Sequence, residues 1–227
     1  MDERLINIMV NSIEKYIDHT KLAANTTADE IRILCHEAIE YNFAAVCVNP
    51  AFVDLADKEL KNTDIKICTV IGFPLGATIS SVKAYEAKAA IEAGAKEIDM
   101  VINIGALKSC QYTFVERDIN AVVNTCSGQA IIKVIIETCY LSYEEKIKAC
   151  KIAMSAGADY VKTSTGFGTY GANIRDISLM KSIVGNNLGI KASGGIKDYQ
   201  TAVMMIEAGA TRIGTSSGVQ IVNSKKK

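Results

Sequence analysis

Histidine is scarce in this 227-residue chain: His19 and His36 are the only two. The seven cysteines are an odd number, and no two stand in a C-x-x-C pair. A zinc centre built from histidine and clustered thiolates is therefore excluded as a working expectation. Charge of one sign is also lacking, since lysine plus arginine and aspartate plus glutamate number 25 each. Three of the cations are the tail Lys225, Lys226 and Lys227, which read as a solvated end. Without them the body is mildly acidic, so no basic face for nucleic acid is expected. No run of about 18 apolar residues exists to cross a membrane, and the start MDERLINIMV, charged and short in apolar length, is not expected to act as a signal peptide. The thiols read as small hydrophobes of a reducing compartment, which places the chain in the cytoplasm.

What the chain does have is alternation. Short β-branched runs at residues 16–20, 44–48, 65–72, 97–103, 130–138, 160–165, 189–193 and 212–216 are separated by helical patterns. Several runs are apolar almost throughout, as parallel strands covered on both faces are. Thr27 to Glu30 and Ser142 to Glu145 form capping boxes at helix starts. The segment 79–93 is expected to bury Val82, Tyr85, Ala89 and Ala93. A leading amphipathic helix is expected over residues 3–14. With no linker or boundary in sight, the expectation is one α/β domain, residues 1–227, folded as a TIM (β/α)8 barrel with an extra N-terminal helix. An open doubly wound sheet is the competing layout. No strand is followed by G-x-G-x-x-G, which weakens a dinucleotide-binding reading.

A weak repeat favours the barrel. Ala93-Gly94-Ala95, Ala156-Gly157-Ala158 and Ala208-Gly209-Ala210 each close a helix with a left-handed glycine cap before a strand. Five residues past each glycine stand Asp99, Lys162 and Gly214. Asp99 and Lys162 are charged groups inside apolar strands at equivalent positions, so a barrel brings them to similar height in one cavity. Lys191, one strand later, adds a second lysine. A plain inward salt bridge would account for one lysine but not for two in adjacent strands. Imine chemistry accounts for both, because an amine must be neutral to attack a carbonyl. A second ammonium about 6 Å away costs the charged form roughly 2 to 3 kcal/mol at an effective dielectric near 20. Lys162 is then the nucleophile, Lys191 its activator, and Asp99 a proton carrier. Thr165-Gly166, Gly194-Gly195 and Ser216-Ser217 end the sixth, seventh and eighth runs. Their backbone N–H groups suit a phosphate, as loops seven and eight of such barrels often do.

The runs K-T-S-T-G from Lys162 and K-A-S-G-G from Lys191 closely resemble the deoxyribose-phosphate aldolases. So do Glu97 to Asn103, Tyr16 to Thr20, Ala45 to Pro50 and Ile213 to Ser217, which extend the likeness along nearly the whole chain. The resemblance implies reversible cleavage of 2-deoxy-D-ribose 5-phosphate to D-glyceraldehyde 3-phosphate and acetaldehyde, without metal or organic cofactor. It implies that Lys162 forms the Schiff base, that Asp99 and Lys191 move protons, and that the enzyme is a homodimer acting on small phosphosugars and aldehydes. Two departures stand out: no tyrosine follows Tyr199, where some relatives end in one, and Phe167 replaces a lysine that some carry after K-T-S-T-G. Another lysine aldolase of transaldolase type, or a phosphosugar-binding protein, are the readings that compete.

Among lesser candidates, Asp18 is expected beside Lys191, and His19 is expected to be structural, since no G-x-S-x-G elbow makes it a hydrolase group. Lys133 and Glu137, four apart, are expected to share an inward face and form an ion pair supporting Asp99. Cys47 stands near a strand end, close to the substrate or as filler.

Overall fold

The computed structural model describes residues 12–126 and 128–225. Its eight strands are β1 (Ile17–Lys21), β2 (Ala45–Val48), β3 (Lys66–Ile71), β4 (Glu97–Val101), β5 (Ile131–Ile135), β6 (Tyr160–Lys162), β7 (Gly189–Ser193) and β8 (Arg212–Thr215). All pair parallel with their sequence neighbours, and β8 returns to β1, closing the barrel. The principal outer helices are α1 (Ala28–Tyr41), α2 (Val53–Glu59), α3 (Ser80–Glu92), α4 (Ile104–Lys108) and α5 (Tyr112–Cys126). They continue with α6 (Tyr143–Ser155), α7 (Ile174–Val184), α8 (Tyr199–Glu207) and α9 (Gly218–Ser224). The helix expected over residues 3–14 falls largely outside the described residues; within them, Ile13–Tyr16 is a 3-10 turn.

The alternation of each strand divides two environments. Outward residues such as Ile98, Met100, Ile132, Val134, Val161 and Ile213 join Leu34, Val115, Ile119 and Ile177 of the helices in one buried apolar layer. Each fully buried aliphatic side chain there stabilises the fold by ~1.5–3 kcal/mol. Inside the barrel the apolar cluster is small: Ala45, Cys47, Cys68 and Val70. Around Asp99 the interior is occupied by charged side chains, where branched aliphatics usually stand.

Both expected capping boxes form, at Thr27 with Glu30 and at Ser142 with Glu145. The three glycine caps are also present, with φ of +117°, +83° and +117° at Gly94, Gly157 and Gly209. After each, the next alanine N–H donates back to the helix: Ala95 to Ala90, Ala158 to Ala153, Ala210 to Met205. The following residue then enters the sheet, Lys96 on Ile67, Asp159 on Ile132, Thr211 on Ile190. Three copies of one hydrogen-bond pattern thus launch β4, β6 and β8 alike, which is why counting from the glycines finds equivalent side chains.

Two sequence readings need correction. Helix α3 buries Lys83, Ala87 and Ala90, while Val82 and Tyr85 are exposed. The helix is turned so that Lys83 reaches inward to donate to Asp118 Oδ2 (2.5 Å) and the Val101 carbonyl (2.9 Å). Strands β5 and β6 end sooner than their apolar runs, at Ile135 and Lys162. Glu137 consequently lies beyond β5 with φ +53°, where strand alternation no longer applies.

Candidate active site

Register fixes which side chains share the barrel interior. Asp99 lies opposite Lys133, Lys162 opposite Lys191, and Lys191 opposite Arg212. Asp18 lies opposite Gly214 on the neighbouring edge. Parallel partners point to the same face, so these groups converge. Gly214 contributes space: a Cβ there would stand 2.9 Å from Lys191 Cε.

Asp99 is the hub. Its Oδ2 accepts from Lys162 Nζ at 2.7 Å and from Lys191 Nζ at 2.8 Å. Its Oδ1 accepts from Lys133 Nζ at 3.0 Å and from the Cys68 thiol at 3.1 Å. Burial pushes the Asp99 carboxyl up, but Lys133, Lys162 and Lys191 outweigh it and hold it well below the usual carboxylate range. Lys191 also contacts Asp18. Burial lowers Lys191, yet Asp18 and Asp99 outweigh that and raise it well above an ordinary lysine. Burial likewise raises Asp18, while Lys191, Arg212 and Lys133 bring it down to about 2. Lys191 is therefore a held cation, its charge matched by two carboxylates. Its like-charge push on Lys162 is offset to that extent, a correction to the simple two-lysine picture.

The network continues toward the amino-terminal end of the strands. Lys133 Nζ lies 2.6 Å from Glu97 Oε2, and Arg212 Nη1 lies 2.6 Å from Asp18 Oδ1 and 3.2 Å from Glu97 Oε2. Asp18 thus stands beside Lys191, and Lys133 beside Asp99. Glu137 does not pair with Lys133; it accepts instead from the N–H of Thr165 at 3.2 Å and from the Thr165 hydroxyl. Cys47 is fully buried next to Cys68, and is not on the pocket wall. The Cys68 thiol beside it lowers Cys47, and burial drives Cys68 itself well up. His19 is buried, with Nε2 held 2.7 Å from Glu37 Oε2.

Above this network, at the carboxyl ends of the strands, a cavity of about 530 Å³ opens. Lys162 stands in its wall, and the rim carries Thr165, Gly166, Gly194, Gly195 and Ser216. Ser217 is not on the wall; its N–H donates to Thr215 Oγ1 at 2.9 Å and fixes the turn into α9. Lys21 and Lys197, which sequence reasoning missed, add cationic charge to the rim, although Lys21 is paired with Glu30 at 2.7 Å. Phe167 lies on the rim and packs edge-on against Phe73, ring centroids 5.4 Å apart.

Among the described residues, the ligand atoms of Cys47, Cys68 and Asp99 lie within 4.8 Å of one another, as do those of Asp18, Cys68 and Glu97. Neither set suits a metal ion. Lys133 Nζ already stands 3.4 Å from Cys68 Sγ and contacts Asp99 and Glu97 as well, so an ammonium takes the cation's place in both.

A closed parallel (β/α)8 barrel with a charged interior opening at its carboxyl-terminal face is the layout of a TIM-barrel enzyme. The comparisons with known proteins carry this one step further. The model of the DeoC/LacD family of aldolases matches residues 13–224, and the chain belongs to that family. It is 59% identical over 214 residues to a deoxyribose-phosphate aldolase of Clostridium tetani, covering 94% of this chain and 99% of that one. A deoxyribose-phosphate aldolase of a Geobacillus species is 60% identical over 217 residues, covering 96% and 97%. Among solved structures, the aldolase QR15 superposes with a TM-score of 0.89 at 44% identity, covering 93% of this chain and 94% of the other. The deoxyribose phosphate aldolase of Aeropyrum pernix, a tetramer, superposes at 0.90 with 32% identity, covering 100% and 99%. The protein is an aldolase, a carbon–carbon lyase.

Proposed function

We propose that the chain reversibly cleaves 2-deoxy-D-ribose 5-phosphate to D-glyceraldehyde 3-phosphate and acetaldehyde through a Schiff base on Lys162. The observation that carries this reading is the shared contact of Lys162 and Lys191 with one oxygen of Asp99, at a pocket wall below a glycine-rich rim. The names of relatives near 60% identity support the substrate.

In this mechanism the Lys162 amine adds to the C1 aldehyde, and Asp99 relays the amine proton to the new alkoxide, which gives a carbinolamine and returns Asp99 to the carboxylate. The hydroxyl of the adduct leaves as water after taking a proton from Lys191 or from water, which gives a protonated imine. That imine accepts the electron pair of the C2–C3 bond as the 3-hydroxyl gives its proton, through water, to the Asp99 carboxylate, and the aldehyde half departs as D-glyceraldehyde 3-phosphate. The enamine left on Lys162 is protonated at carbon and hydrolysed to acetaldehyde. Backbone N–H groups around Gly166, Gly194, Gly195 and Ser216 hold the phosphate, with Lys197 and Lys21 adding charge. Asp18 and Lys133 keep Lys191 and Asp99 in place, and no metal or organic cofactor takes part. The chain works as one domain, in the cytosol, as a homodimer.

Borohydride reduction in the presence of acetaldehyde tests the central step. The expected result is a two-carbon adduct mapped to the peptide of Lys162, absent from Lys162→Ala. A main adduct on Lys191 would reverse the assigned roles, and no adduct at all would remove the imine mechanism.

A further inference from the structure

We propose that Arg212 and Glu97, at the amino-terminal end of the barrel and outside the pocket, are positioning residues that set the pH at which Lys162 becomes nucleophilic. The inference rests on the imine reading of Lys162.

The barrel interior holds three carboxylates, Asp18, Glu97 and Asp99, and three cations besides Lys162, namely Lys133, Lys191 and Arg212. The side chains of the three carboxylates and the two lysines are at most 1% exposed, Lys162 is 3% exposed and Arg212 12%. With a neutral amine on Lys162 the cluster balances, three against three. An ammonium there leaves one positive charge in excess, at a cavity wall where Lys162 itself is only 3% exposed. The charge carried at Lys162 is therefore coupled to every member of the cluster.

Contacts connect the far members to Lys162 without a gap. Arg212 contacts Asp18, Asp18 contacts Lys191, and Lys191 and Lys162 share Asp99 Oδ2. Glu97 contacts both Arg212 and Lys133, and Lys133 contacts Asp99. Lys162, Lys191 and Arg212 are successive register partners, so Arg212 lies two strand spacings away, roughly 10 Å. The groups that face Lys162 are Asp99 from β4, Lys191 from β7, Cys47 from β2 and, in the pocket, Lys21 and Lys197. Arg212 faces Asp18, Glu97 and the Tyr160 ring, with Lys15, Asp64, Lys66 and Lys96 around a second cavity below it. Those outer groups are reached by water and are screened by it. Arg212 and Glu97 touch neither the pocket nor any reacting atom, so their effect is on the charge state of the amine.

The opposite charges of the two residues give opposite predictions. Arg212→Met removes a cation, lets a protonated Lys162 complete the balance, and moves the trapping profile to higher pH. Glu97→Gln removes an anion, leaves more positive charge, and moves it to lower pH. At ~10 Å and an effective dielectric near 20, each shift is about one pH unit. Arg212→Lys, which keeps the charge, holds the wild-type midpoint. The measurement is the fraction of chain carrying the borohydride-trapped acetaldehyde adduct as a function of pH, on protein shown to be folded by circular dichroism. A merely structural role would lower adduct yield in both variants without moving the midpoints in opposite directions. Where Arg212→Met fails to fold, the acid shift of Glu97→Gln decides alone. Wild-type midpoints in both variants, or shifts of the same sign, overturn the inference while leaving the Lys162 adduct intact. A wild-type chain that never traps acetaldehyde on Lys162 overturns the imine reading itself.

Discussion

Gly214 shows how one missing methyl group supports the site. Its position matches Asp99 and Lys162 in the glycine-counted repeat, yet it carries no function of its own. A Cβ there would stand 2.9 Å from both Lys191 Cε and Ser193 Cβ, closer than such atoms pack. Lys191 cannot retreat freely, because its amine is held by Asp18 and Asp99. Gly214→Ala is therefore expected to displace Lys191 from Asp99, lowering kcat by at least ten-fold while costing the fold ~1–3 kcal/mol. Steady-state kinetics with a urea melt checks this; unchanged kcat would mean that Lys191 needs no fixed seat. The same repeat shows what was legible. Asp99 and Lys162 could be found by counting, because identical caps launch β4 and β6 in the same phase. Glu97 and Arg212 went unnoticed because a charged residue at a strand's first position reads the same whether it meets water or the barrel interior. Stepping back two residues from Asp99 and from Gly214, the strand period, would have found both.

At the scale of elements, Lys83 explains why periodicity misplaced the face of α3. The pattern favours Val82 and Tyr85 as buried, since both are apolar, but the small Ala87 and Ala90 let the helix approach α5 and the end of β4 closely. Lys83 fills the gap between them, with Asp118 of α5 as its partner and the Val101 carbonyl as a second acceptor. A buried lysine has no distinctive signature in a single sequence, and its partner lies 35 residues away. Glu137 was misread for a related reason: β5 ends at Ile135, so the four-residue spacing to Lys133 no longer means a common face. The strands themselves were legible, because burial on both faces makes each an apolar run. Lys83→Met alone is expected to destabilise the fold by ~3–5 kcal/mol, since it leaves Asp118 buried and unpaired. The double variant Lys83→Met with Asp118→Leu should recover most of that loss. Urea unfolding of wild type and both variants measures it, and a single variant as stable as wild type would mean that Asp118 reaches water.

For the molecule as a whole, the charged interior ties stability to pH at both extremes. Asp18 is lowered to about 2 and Asp99 is held well below the usual carboxylate range, both despite burial. A depressed carboxylate contributes stability that is present above its unfolded value, near 3.9, and is lost as pH falls through the folded value. Asp18 alone then contributes ~2 kcal/mol that disappears between about pH 4 and pH 2. Lys133 and Lys191 act with the opposite sign. Both are raised despite burial, chiefly by Asp99 for Lys133 and by Asp18 and Asp99 for Lys191. Their contribution is complete below the unfolded lysine value, near 10.4, and is lost only as pH rises past it toward the folded values. The barrel should accordingly hold a nearly level urea midpoint from about pH 5 to pH 9, with a steep acid limb below pH 4 and an alkaline limb above pH 10. Asp18→Asn is expected to be less stable at neutral pH, because Lys191 and Arg212 lose a counter-charge, and to have a shallower acid limb. The shallower slope is the decisive reading, since loss of packing alone would lower the curve without changing its shape. An acid limb of wild-type steepness in Asp18→Asn would show that other carboxylates, outside the barrel interior, govern acid unfolding.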